Sequence, residues 1–111
     1  MIVIATDDII GVWQGAGFDA MAMKFNDDGT CLGAFRIENL ESTPNLNCTF
    51  YFEDDQIFIT AVDTYRLPVC DNDTAIYTVY QWADGGIELV VVEDACPGRA
   101  RSMSVKYMPV P

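Results

Sequence analysis

Histidine is absent from this chain of 111 residues. That removes a Ser-His-Asp triad and a histidine-activated cysteine, because each needs an imidazole base. The four cysteines, Cys31, Cys48, Cys70 and Cys96, never fall in C-x-x-C spacing, so no zinc motif supports a structural metal. No glycine-rich phosphate loop precedes a helix, which argues against nucleotide binding. The aspartate-rich turns lack the spaced D-x-D-x-D-G series of an EF-hand, leaving at most weak surface calcium. Positive charge is scarce: 6 bases against 17 acids give a net charge of −11. Nucleic acid and anionic membrane surfaces both repel such a chain. No apolar run reaches ~18 residues, so no transmembrane helix is expected. Met1–Ala5 is too short and lacks the basic start of a secretory signal, which leaves either an intracellular chain or one read after removal of a leader. None of these patterns implies a cofactor or a metal.

What is present is foldable. Half the residues are apolar and 21% are charged, enough for one core in one domain over residues 1–111. Much of the acid sits in turns, at Asp27-Asp28, Asp54-Asp55, Asp71-Asn72-Asp73 and Asp84. That placement reads first as a solvated acidic shell. The sharper reading is attraction of a cationic ligand or a basic partner.

Along the chain the dominant pattern is alternation. Thr6-Asp7-Asp8 can cap one helical turn. Gly11–Gln14 is then a first strand. Phe18–Phe25 alternates, with Asp19, Met21, Met23 and Phe25 on one face. Asn26-Asp27-Asp28-Gly29 reads as a hairpin turn. Thr30–Glu38 follows, with Cys31, Gly33, Phe35 and Ile37 in phase, and Asn39–Leu46 reads as loop. Asn47–Glu53 and Gln56–Val62 are strands joined at Asp54-Asp55. Asp63–Asp73 is a long connection. Thr74–Trp82 and Ile87–Asp94 are strands joined through Ala83-Asp84-Gly85-Gly86. Ala95–Arg99 is a corner, and Arg101–Met108 is the last strand, carrying Met103, Val105 and Tyr107 on one face. About eight short strands joined mostly by hairpins favour an all-β, up-and-down antiparallel barrel with a short N-terminal helical turn. A two-sheet sandwich is the rival. Apolar residues on both faces of several strands suggest an outer face partly covered, for which a second subunit is one candidate.

Gly11-Val12-Trp13 after a short helix, Phe25–Thr30 (F-N-D-D-G-T), Tyr51–Ile59 (Y-F-E-D-D-Q-I-F-I) and Val92–Arg99 (V-E-D-A-C-P-G-R) together resemble small bacterial lipocalin-like domains of the calycin type. The resemblance covers nearly the whole chain through short, degenerate motifs. It implies a barrel open at one end, with a pocket for a small apolar or amphipathic molecule. It also implies that Gly11 and Trp13 close the floor and that a basic residue near the last strand packs across Trp13. Arg101 is favoured for that role over Arg99, through cation–π contact.

Cys70 and Cys96 flank the hairpin of the two strands between them, so a disulfide is geometrically natural. Closing that loop would contribute roughly 3–4 kcal/mol. Cys31 and Cys48 lie in the apolar phase of neighbouring strands, where they either pair or stay as buried thiols. Paired cysteines would favour a secreted or periplasmic setting. The expected ligand-lining residues are Met21, Met23, Phe35, Tyr77, Met103 and Tyr107. The leading function is binding or sequestration of a small apolar molecule inside the barrel. A cyclase or isomerase is the second reading, with Asp19, Tyr77 and Tyr107 as candidate acid–base groups. The third is an acidic protein-interaction or inhibitor domain.

Overall fold

The computed structural model describes residues 2–3, 6–17, 20–64 and 74–110. The strands are β1 (Ile2–Val3), β2 (Gly11–Gly15), β3 (Ala22–Phe25), β4 (Thr30–Ala34), β5 (Leu46–Glu53), β6 (Gln56–Thr64), β7 (Thr74–Gln81), β8 (Ile87–Glu93) and β9 (Lys106–Pro109). Two short helices, α1 (Thr6–Ile9) and α2 (Pro97–Met103), and a 3-10 turn (Ile37–Asn39) complete the elements.

Polar turns punctuate the alternations and set the register. At Asn26–Gly29 the Asp28 carboxylate accepts from the Thr30 backbone N–H at 2.9 Å and its hydroxyl at 2.6 Å. This side-chain mimic of a turn fixes Phe25 opposite Cys31. From β2 to β9 each strand pairs with the next, antiparallel throughout. The ring closes where β9 returns to β2, with Trp13 opposite Pro109 and Gly15 opposite Tyr107. The result is a closed eight-stranded antiparallel barrel, as the alternation implied. Closure removes the free sheet edges that a sandwich would leave. β1 lies outside the ring, pairing with β7 at Tyr80 and Gln81, just beyond the point where β6 ends its own pairing at Thr78.

Each barrel end is stopped by a helix. Ile9 of α1 is fully buried, and the Trp13 indole N–H donates to the Ile9 carbonyl at 2.8 Å. The buried indole and the first helical turn therefore lock together across one end. At the other end α2 contributes Met103 to the core. Gly11 has φ +133°, and nothing lies within 4 Å of where its β-carbon would be. It serves the turn from α1 into β2 through its backbone conformation, not through close packing. The close approach is at Gly15, where a β-carbon would stand 2.7 Å from the Met21 carbonyl oxygen and 2.9 Å from Ala20 Cβ.

Three boundaries differ from the sequence pattern. β4 stops at Ala34, because Asn45 donates its backbone N–H to Gly33 O and accepts from the Phe35 N–H on its side-chain oxygen. Phe35 and Ile37 are thereby turned outward, and Phe35 is 43% exposed, not on the inner face. The segment expected to open the last strand is instead α2. Pro97 sits in its first turn, where a missing N–H costs nothing. Arg101 thus lies in the last helical turn and is solvent-exposed, and β9 begins only at Lys106. The β3 strand is also shorter than its alternation. Ala22, on the outward phase, is buried with Ala34 and Leu40. The chain's own β4–β5 connection covers that outer face.

The seam between β8 and β9 is short, holding only Ile87 opposite Tyr107 and Glu88 opposite Lys106. Past it, Leu89 N–H donates to Val105 O, and the Ser104 hydroxyl takes over. Ser104 Oγ donates to Leu89 O and accepts from Val91 N–H, both at 3.2 Å.

Candidate functional site

Met21, Met23, Tyr77, Met103 and Tyr107, five of the residues expected to line a pocket, do converge inside the barrel. They fill it. Met23, Tyr77 and Met103, together with Ile57, Ile59 and Val79 around them, are all 0% exposed. A side chain with no exposure admits no water-sized sphere on any side, the barrel axis included, so the space around these residues is packed. Phe35 stands apart, outside the barrel. Asp19 and Cys70 lie outside the described residues.

Both tyrosine hydroxyls are committed internally. Tyr107 donates to the Met103 carbonyl at 3.0 Å, tying β9 to α2. Tyr77 donates to Asp94 Oδ2 at 2.5 Å. Burial pushes both phenols far above their ordinary range, and the Asp94 carboxylate adds to the effect at Tyr77. Neither is poised to act as a base near neutral pH.

Asp94 is the centre of a cluster that alternation did not reveal. Its side chain is 0% exposed and that of its partner Arg99 is 8% exposed. Arg99 approaches with Nε at 2.9 Å from Oδ2 and NH2 at 2.7 Å from Oδ1. The Cys96 N–H donates to Oδ1 at 2.9 Å. Burial opposes ionisation of Asp94, but Arg99, Tyr77 and the Cys96 amide outweigh it and hold the carboxyl below its usual range. Cys96 is itself disulfide-bonded. The sequence signal was present in Asp94-Ala95-Cys96-Pro97-Gly98-Arg99, where an acid and a base bracket a cysteine. Their pairing depends on α2, which the pattern of the last strand obscured. The Asp94 carboxylate is thus an anchor that accepts from Tyr77, Arg99 and the Cys96 amide at once.

Cys31 and Cys48 stand directly opposite in the β4–β5 register and form a disulfide, with Cα atoms 4.9 Å apart. Among the described residues no helix is long and apolar enough to cross a membrane.

Open space of ligand size occurs at the α1 end. A half-open recess of about 300 Å3 is lined by Ile10, Asn26, Asp27, Gly29, Phe50, Tyr51 and Phe52. Unequal strand length creates it. β4 begins at Thr30, opposite Thr49, while β5 runs on to Glu53. The last cross-strand bond on that side is Phe50 N–H to Gly29 O, at 2.9 Å. Backbone groups alternate along a strand, so the Phe52 amide faces the same way as that of Phe50, into the recess. Apolar surface from Ile10 and the rings meets polar groups from Asn26, Asp27 and the strand edge. Alternation along Asn47–Glu53 puts Phe50 and Phe52 in one phase, but the overhang comes from pairing partners far apart in the chain.

The closed barrel is compatible with a lipocalin-like fold and with ligand binding. No protein-family profile, curated protein or solved structure matches this chain.

Proposed function

We propose that this chain is a small lipocalin-like binding module that takes an apolar or amphipathic molecule at the α1 end of its barrel. The observation that supports this reading is the recess beside Phe50–Phe52, set against an inner face whose described side chains are closely packed. At roughly 30 Å3 per non-hydrogen atom, a 300 Å3 space suits a molecule of about ten such atoms. Asp27 and the net charge of −11 favour a cationic head over an anionic one. The Cys31–Cys48 disulfide fits an oxidising compartment, periplasmic or extracellular. Tyr77 and Tyr107, two of the candidate acid–base groups of a cyclase or isomerase, spend their hydroxyls on Asp94 and the Met103 carbonyl.

The test is a titration of octylamine and of octanoate followed by amide chemical shifts. Saturable shifts at Ile10, Asn26–Gly29 and Phe50–Phe52 with octylamine, weaker with octanoate, are expected. Ile10→Ser should weaken both, and Asp27→Asn should narrow the difference between them. Linear, unsaturable shifts, or binding indifferent to both substitutions, would remove the recess as a site.

A further inference from the structure

We infer that the outer face of β5–β8 is a docking surface for a basic protein partner that presents an apolar stripe flanked by lysine or arginine. The face is unusual for the outside of a barrel. The cross-strand row Tyr51–Phe58–Ile76 runs over three strands in register. Tyr51 and Phe58 stack with ring centroids 4.8 Å apart. The next row ends in Thr78 opposite Val90. Tyr51 is 53% exposed and Val90 37%. Outward residues of an antiparallel barrel are ordinarily polar, and a contiguous apolar band on such a surface marks an interaction site.

Charge decides the occupant. The strands β5, β6, β7 and β8 contain no lysine or arginine, while Glu53, Asp63, Glu88 and Glu93 belong to them. Among the described residues, bases elsewhere pair with acids of their own: Lys24 with Glu41, Arg36 with Glu38, Arg99 with Asp94, and Lys106 with Asp84. A second copy packed through this face would set acid against acid with no base within these four strands to relieve it, and each copy carries −11. An anionic lipid surface would be repelled in the same way. A partner that brings cations around an apolar centre satisfies both the band and its rim. The contact is face-on, because Ser104 already occupies the β8 backbone groups that an added strand would need.

The probe is a synthetic amphipathic helix of about 18 residues, with a leucine stripe flanked by lysine. Two controls keep its length: one replaces lysine by glutamate, the other replaces the leucine stripe by serine. Fluorescence anisotropy should show binding of the lysine–leucine peptide alone, weakening as salt is raised to ~0.5 M. Amide shifts should centre on Phe58, Ile76, Thr78 and Val90. Val90→Lys, at an exposed position, should weaken binding by about tenfold. The milder Val90→Ser should weaken it less, and both variants should keep the parent's near-ultraviolet circular dichroism. Ile10→Ser and Asp27→Asn should leave peptide binding unchanged, which separates this surface from the recess. Equal binding of the serine-stripe peptide, no binding, shifts centred elsewhere, or a sedimenting dimer that Val90→Lys dissolves would each overturn the inference.

Discussion

Replacing Arg99 by methionine isolates the energetics of the buried cluster. The substitution keeps a long apolar stem but leaves the fully buried Asp94 carboxylate without its guanidinium. Breaking a buried pair from one side costs about 3–5 kcal/mol, since a desolvated charge remains without its partner. A domain of this size has roughly 5–15 kcal/mol in total, so the variant should be marginal. With a urea slope of ~1–2 kcal/mol/M, the midpoint should fall by about 1.5–5 M. The assay is equilibrium urea unfolding with disulfides intact, followed by the fluorescence of Trp13 and Trp82. The triple variant Asp94→Leu, Arg99→Met and Tyr77→Phe removes the charges and the hydroxyl together. It should be more stable than Arg99→Met alone, because the stranded groups are gone. The acid limb gives an independent reading. The folded carboxyl of Asp94 is held below its usual range. Its contribution is therefore fully present above the unfolded value of about 3.9 and is lost as pH falls through the folded value. The triple variant should show a shallower loss of stability below about pH 4. A cost for Arg99→Met under ~1 kcal/mol, or a triple variant less stable than the single one, would refute the reasoning.

Two further outcomes follow from packing and cross-linking. Gly15→Ala places a methyl 2.7 Å from the Met21 backbone oxygen, which cannot swing aside as a side chain would. It should cost about 1–3 kcal/mol by thermal or urea unfolding, whereas the same change at a site with ordinary contacts would be near neutral. Replacing Cys31 and Cys48 together by alanine releases a link spanning 17 residues. It should cost roughly 3 kcal/mol through the freed unfolded chain, with the native circular dichroism retained.

The barrel was legible because its information is local. Alternation places Cys48, Phe50, Ile57, Ile59, Tyr77 and Val79 inward, and all six are buried. Asn26–Gly29 and Asp54-Asp55 announced their hairpins through turn chemistry. The end-plug role of Trp13 was legible only through the resemblance carried by Gly11-Val12-Trp13; its burial and its bond to Ile9 O come from the fold. The residues misplaced are those whose pattern serves two periods. Met103, Val105 and Tyr107 alternate as a strand does, yet Met103 is reached through a helix and Tyr107 through β9. Phe35 continued the β4 phase, and only Asn45, ten residues on, ends the strand. Whether the interior was hollow depended on summed side-chain volume against barrel size, which no single residue carries. The recess depended on the unequal lengths of β4 and β5.

Ser104 impersonates a neighbouring strand at the one place where the ring is thinly sewn. A bare stretch beside Leu89 and Val91, next to three consecutive valines, would be a template for stacking chain upon chain into fibrils. A single hydroxyl fills both of those backbone valences, so that stretch is capped by one atom on a turn instead of by a longer β9.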